Sequence, residues 1–146
     1  MPSFPKTLKK VPRRRQRHFR QFQKAVIFAR FTAELKAIKK LLEKDLKVQY
    51  VSIDGSVSLD DRGKIVNTFQ TDKDCKVFVG QLQTASAGLT LTAASLTIFY
   101  SVSFSFADFS QACARIHRIS QKEKCTYINL TVKNTIDEKI FREMIL

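Results

Sequence analysis

At 146 residues the chain has the size of one domain, and a chain this long buries roughly 68–70% of its unfolded surface, enough for one sizeable core. Apolar residues make up 44%, yet no apolar run approaches the ~18–20 residues of a membrane span, and no apolar stretch follows the basic amino end as a secretory signal would require. The net charge is +13, and its concentration at the amino end suits a polyanionic partner, of which nucleic acid is the commonest.

That charge is uneven. Residues 1–24 hold nine basic side chains (Lys6, Lys9, Lys10, Arg13, Arg14, Arg15, Arg17, Arg20, Lys24) and no acidic one, which leaves +4 for residues 25–146. Residues 1–24 are therefore expected to be a flexible basic segment, and residues 25–146 the folded domain. Phe4, Phe19 and Phe22 make no sustained amphipathic face, so a membrane surface is a poor partner.

Beyond Lys24, short β-rich runs alternate with helical stretches. Ala25–Ala29 reads as a buried strand. Thr32 is placed to cap a helix whose apolar stripe is Leu35, Ile38, Leu41 and Leu42. Val48–Ile53 reads as a second strand, ended by the turn sequence Asp54-Gly55-Ser56. Ser58 with Asp61 opens a helix through Phe69. Lys76–Val79 and Leu96–Tyr100 are the third and fourth strands. Ser105 and Asp108 begin a helix expected to run to about Arg118, Thr126–Val132 is the fifth strand, and Thr135 with Glu138 is placed to cap a last helix.

This rhythm predicts a three-layer α/β domain: a mostly parallel central sheet flanked by helices, with right-handed crossovers. Ligands of such sheets bind outside the carboxyl ends of the strands. The loops to watch are 30–32, 54–58, 81–90 and 100–106. Cys75, Cys113 and Cys125 are far apart and form no Cys-x-x-Cys pair, so with two histidines they give no zinc cage. Free thiols in a reducing compartment are expected.

The most informative segment is Gln111-Ala112-Cys113-Ala114-Arg115-Ile116-His117-Arg118-Ile119-Ser120-Gln121. On a continuous helix, at about 100° per residue, Gln111, Arg115 and Arg118 fall within roughly 60° of one another. Phe106, Phe109, Cys113 and Ile116 fall on a different side, toward the core. Two guanidiniums held together repel unless an anion lies against them, and arginine forks match phosphate oxygens.

Some signals are missing from the sequence. Gly63-Lys64 is followed by Ile65 and lies in a helical stretch, so it makes no G-x-x-x-x-G-K-(S/T) phosphate loop. No Asp-Glu pair follows an apolar strand. Asp60-Asp61 and Asp137-Glu138 read as charges at helix starts. Neither His18 nor His117 has a nucleophile partner in recognisable spacing, and no metal site is expected on this chain.

Gln111-x-x-x-Arg115-x-His117-Arg118-x-x-Gln121 resembles motif VI of superfamily-two helicases in the form used by Swi/Snf-type ATPases. Thr84-Ala85-Ser86-Ala87-Gly88-Leu89-Thr90-Leu91-Thr92-Ala93-Ala94 resembles motif V of that family. Ile53-Asp54-Gly55-Ser56, then Arg62 and Phe69-Gln70, is similar to its D-G-S … R … F-Q stretch. Val26-Ile27-Phe28 is similar to motif IV, and Thr135-Ile136-Asp137-Glu138 to the terminal T-I-(D/E)-E. The five elements stand in order over about residues 25–141. The Ser103-Phe104-Ser105-Phe106 segment looks like phage- or prophage-encoded members.

The resemblance implies the second, C-terminal RecA-like lobe of a DNA-dependent motor, cytoplasmic in a bacterium or phage-infected host. Arg115 and Arg118 would be arginine fingers reaching the phosphates of an ATP shared with a first lobe, in the same gene or on a separate chain. Gln111 would help position them. Mg²⁺ would belong to that other lobe. Gly88 and Thr90 would lie on the nucleotide side, and Arg30, Gly55, Ser56, Arg62, Gln81 and Thr84 along the DNA backbone, with double-stranded DNA favoured. Some positions depart from the family pattern. Phe104-Ser105-Phe106 replaces Trp-Asn-Pro, Gln81-Leu82-Gln83 replaces a Ser-Thr start, Ala85-Ser86 replaces Gly-Gly, and Ser120 stands where Gly is common. The competing reading is a stand-alone basic nucleic-acid-binding module without ATPase activity, which deletion of residues 1–24 would separate from the first.

Overall fold

The computed structural model describes residues 22–103 and 105–145. The basic segment up to residue 21 and the ring of Phe104 lie outside the described residues. Five strands form one sheet: β1 (Ala25–Ala29), β2 (Tyr50–Ile53), β3 (Val77–Gln81), β4 (Leu96–Phe99) and β5 (Thr126–Asn129). Four helices connect or follow them: α1 (Thr32–Lys40), α2 (Leu59–Thr71), α3 (Phe106–Cys113) and α4 (Ile136–Ile145). The strand order is β2-β3-β1-β4-β5, and every pairing is parallel. The α/β class read from the alternating pattern is therefore the observed one.

The strands start level. Ala25 stands beside Val77 and Leu96, Tyr50 beside Val77, and Leu96 beside Thr126. Their carboxyl ends consequently share one edge. From β1 the chain moves outward to β2, whereas β2 to β3 and β4 to β5 both move the opposite way. Right-handed crossovers then place α1 on one face and α2 and α3 on the other. The two buried clusters agree. Ala29, Val77 and Val79 pack with Leu35, Ile38 and Leu42 of α1. Val26, Phe28, Phe78 and Phe99 pack with Phe69 of α2, Ala112 of α3 and Ile116. Alternating residues of β1 thus serve opposite faces, as the period of two in a strand requires.

Phenylalanine dominates the second cluster. Phe28 stacks on Phe99 at 5.9 Å, Phe69 meets Phe78 edge-on at 5.7 Å, and Phe99 tilts against Phe109 at 4.7 Å between ring centroids. Such pairs contribute about 0.5–1.5 kcal/mol each beyond the area they bury. Gly80 sits where two of these rings converge, with no room for a Cβ: one would stand 2.8 Å from Phe78 Cε1 and 3.2 Å from Phe28 Cε1.

Several boundaries differ from the sequence expectation, each for a local reason. Thr32 is the first helical residue of α1, and the residue ahead of it is Phe31, whose N–H donates to the Glu34 carboxylate at 3.2 Å. After Lys40 the helix widens into a π-turn over Leu41–Asp45, which turns Leu41 out to 42% exposure while Leu42 stays buried. Val48 donates its N–H to Leu42, closing that turn, so strand pairing starts only at Tyr50. The Ser58 cap is present: its hydroxyl accepts from the Asp61 N–H at 3.2 Å and donates to the Asp61 carboxylate at 2.7 Å. The Thr135 hydroxyl instead donates to the Val132 carbonyl at 2.7 Å, and the Glu138 carboxylate accepts from the Asn134 N–H at 3.1 Å. The three cysteines are free, with Cys75 buried and the other two half-buried. Among the described residues, no helix is long and apolar enough to cross a membrane.

Candidate functional site

The chain leaves β1 toward β2 and leaves β4 toward β5, in opposite directions, so the sheet has a switch point between β1 and β4. Loops diverging from adjacent strand ends open a crevice there. The Arg30 N–H donates to Ser101 Oγ at 2.8 Å across it, and the Ser101 hydroxyl in turn donates to the Glu34 carboxylate. This tie fixes the exit of β1 to the exit of β4.

One group of side chains lines the carboxyl ends of β1, β2 and β3. Gln81 donates its side-chain amide to the Arg30 carbonyl at 3.3 Å. A Cβ built on Gly55 would lie 3.9 Å from Gln81 Oε1, so the Gly55 turn runs alongside that side chain. The turn is closed by Asp54, whose Oδ1 accepts from the Ser56 N–H at 2.9 Å and from the Ser56 hydroxyl. These bonds, with Lys39 and Arg62 nearby, hold the Asp54 carboxyl below its ordinary pKa. Arg62 donates from Nε to the Val57 carbonyl at 3.1 Å. The Arg30 guanidinium lies 4.9 Å from the Phe31 ring centroid, a cation–π contact on an exposed ring. Thr84, by contrast, is buried, and its hydroxyl donates to the Gln81 carbonyl at 2.6 Å. It shapes the turn into the 3₁₀ segment Leu82–Ala87.

The second group gathers around Gly88. The 3₁₀ segment ends there in a left-handed conformation, φ +77°. Helix α3 stops at Cys113, shorter than the sequence periodicity predicts. At its C-cap the Ala114 N–H reaches both the Ser110 and Ala112 carbonyls, and the turn that follows still leaves Ile116 fully buried. Arg115 and Arg118 therefore do not share a regular helical face with Gln111. They meet all the same. Arg115 Nε donates to the Gln111 carbonyl at 2.9 Å, and its Nη1 lies 4.0 Å from where a Gly88 Cβ would be. Arg118 Nη2 donates to the Gly88 and Leu89 carbonyls at 3.3 and 3.4 Å. Gln111 contributes its carbonyl, while its side chain is exposed. Thr90 lies half-buried two residues past Gly88. Phe106, expected in the core, is 59% exposed at the start of α3, whereas Phe109 packs inward.

The electrostatics of this pair are unusual. Arg115 is only 8% exposed, yet among the described residues no carboxylate lies within ion-pair distance of it or of Arg118. Burial first, and the Arg118 charge second, pull the Arg115 pKa below its ordinary value. A buried, unpaired guanidinium next to a second one is costly for the free domain. An anion with several oxygens would relieve both charges at once.

Two further residues, with no role assigned from sequence, carry the geometry. Gln70 of α2 donates to Thr92 Oγ1 at 3.1 Å and accepts from the Ala93 N–H at 2.8 Å. Gln121 donates to the carbonyls of Thr92, Ala94 and Ile116 at 3.2, 2.8 and 3.0 Å. Both stand inside the motifs, but their partners in the Thr92–Ala94 turn lie 22 to 29 residues away, beyond the reach of any local periodicity.

Residues 6–120 match the helicase conserved C-terminal domain family. The chain is 35% identical over 119 residues to the ATP-dependent helicase fft3 of Schizosaccharomyces pombe, covering 82% of this chain and 13% of that protein. It is 36% identical over 119 residues to a SWI/SNF-related matrix-associated actin-dependent regulator of chromatin, subfamily A-like protein 1, of Drosophila melanogaster, covering 82% of this chain and 16% of that protein. The crystal structure of the C-terminal part of the Fun30 ATPase domain superposes with a TM-score of 0.78 at 30% identity, covering 92% of this chain and 41% of that one. The chain thus spans a small part of the length of these relatives.

Proposed function

The chain belongs to the helicase conserved C-terminal domain family, with Swi/Snf-type helicases among its relatives, and from that premise we propose that it is the second lobe of a DNA-dependent ATPase and translocase. A first lobe, in cis or as a separate chain, would hold ATP and its Mg²⁺. This lobe would close on the phosphates with Arg115 and Arg118. The observation that carries the reading is the convergence of two guanidiniums on Gly88 with no carboxylate partner among the described residues. Such a pair supplies preorganised positive charge where a transferring phosphoryl group develops negative charge. Arginine fingers of this kind contribute on the order of 10³–10⁵ in rate.

The same reading gives the exits of β1, β2 and β3 to the DNA backbone. Arg30, Gly55, Ser56, Arg62 and Gln81 sit at one edge, and guanidiniums, hydroxyls and backbone amides grip phosphates without reading sequence. Thr84 supports this track from beneath, since its hydroxyl is committed to Gln81. Duplex DNA is the substrate proposed. Gly88, with no side chain, leaves the nucleotide room beside the arginines, and Thr90 stands on the same loop.

The test joins this chain to a first lobe and measures ATP turnover with and without duplex DNA. Arg118→Ala should reduce DNA-stimulated turnover by about 10³-fold or more and leave DNA affinity within about twofold. Unchanged turnover in that variant would sink the assignment.

A further inference from the structure

Resting on this reading, we infer that Gln121 and Gln70 are positioning residues that together clamp the Thr92–Ala94 turn and thereby set the direction of the two arginines. The Gly88–Ala94 loop follows the Arg115–Gln121 segment contact by contact. Arg118 holds the Gly88 and Leu89 carbonyls, the Leu91 N–H donates to the Arg115 carbonyl at 3.0 Å, and Gln121 holds the Thr92 and Ala94 carbonyls. Gln121 also holds the Ile116 carbonyl, so one amide group bridges both segments. Its Oε1 accepts from the Glu123 N–H at 3.1 Å, which fixes the amide orientation.

Gln70 in turn grips Thr92 and Ala93. It stands on α2, which Ser58 caps and whose Arg62 holds the end of the Gly55 turn at the Val57 carbonyl. Helix α2 is thus a single rigid element running from the proposed DNA edge to the loop under the arginines. Its 13 residues span roughly 20 Å. Displacement of an arginine by about 1 Å can cost on the order of 10²-fold in rate.

The chemistry of the two amides makes the inference sharp. Every bond that Gln121 makes to the loop uses its NH₂ as donor, so Gln121→Glu replaces donors with a carboxylate facing three carbonyls. Gln70 accepts from Ala93 N–H, and Thr92 offers a hydroxyl that can rotate to donate, so Gln70→Glu can keep both contacts. Two near-isosteric changes should therefore have opposite outcomes.

In the chain joined to a first lobe, Gln121→Glu should lower kcat at least tenfold with KM for ATP within about twofold. Gln70→Glu should keep kcat within about twofold, whereas Gln70→Leu, which removes both contacts, should lower kcat at least tenfold. In the chain alone, amide exchange of Leu91 should accelerate at least tenfold in Gln121→Glu and stay unchanged in Gln70→Glu. Gln121→Met, which removes the donors without adding charge, is measured beside them in case the carboxylate variant fails to fold. Equal effects of Gln121→Glu and Gln70→Glu would overturn the inference, as would unchanged Leu91 exchange in Gln121→Met. The exchange readout needs no ATP, so it stands even if Arg118→Ala leaves turnover intact and the motor reading fails.

Discussion

Arg115→Met is the substitution whose outcome most separates a ligand-directed arginine from a structural one. Methionine matches the length of the aliphatic stem and carries no charge. The variant loses the hydrogen bond from Nε to the Gln111 carbonyl, 2.9 Å long, worth about 1.5–3 kcal/mol for a charged donor. It also removes a guanidinium that is 8% exposed, faces Arg118, and has no carboxylate partner among the described residues. Replacing buried charge with apolar atoms of similar volume is neutral or stabilising by about 1–4 kcal/mol. The two terms nearly cancel, leaving a net change within about 2 kcal/mol of zero. Each kcal/mol shifts the melting midpoint by about 2–4 °C at this chain length. Urea denaturation of the chain gives the free energy directly. The same measurement with inorganic pyrophosphate at ten times its dissociation constant should stabilise the unmodified chain by about 1.4 kcal/mol and the variant by less. A loss above about 2 kcal/mol without ligand would refute the reasoning, because it would mean that Arg115 is held for the fold.

Two other predictions follow from the packing and the charges. Gly80→Ala should destabilise by about 1–3 kcal/mol in urea denaturation, because its Cβ meets Phe78 Cε1 at 2.8 Å; a change below about 0.5 kcal/mol would show that the rings yield freely. The folded Asp54 carboxyl titrates below its ordinary value, so it adds stability above the unfolded pKa that is lost as pH falls through the folded one. Asp54→Asn should accordingly lose less stability than the parent chain between about pH 5 and pH 2; parallel acid limbs would contradict the assignment.

The sequence made the strands legible wherever a run was apolar on both faces, as in β1 and β3, because a doubly covered parallel strand needs that pattern. It overreached at Val48, which is apolar but spent on the turn after α1. The Ser58 and Ser105 caps were readable from local spacing, since a cap and its target lie three residues apart. Thr135 had the same spacing, but its hydroxyl turned to the Val132 carbonyl. The site was legible in part. The meeting of Arg115 and Arg118 was expected from a continuous helix, and the helix is not continuous. Their convergence comes from the burial of Ile116 and the left-handed turn at Gly88, both tertiary outcomes. The glutamine clamp was hidden for the same reason, since Gln70 and Gln121 act on a turn remote from both in sequence.

The most direct measurement of the central claim is nitrogen-15 NMR of the arginine side chains during titration with inorganic triphosphate. The Nε–H signals of Arg115 and Arg118 should shift together and saturate at one dissociation constant, and Arg118→Ala should weaken the Arg115 response at least tenfold. If those two signals stayed still, or moved no more than those of Arg30, Arg62 and Arg142, the paired guanidiniums would not be a phosphate site.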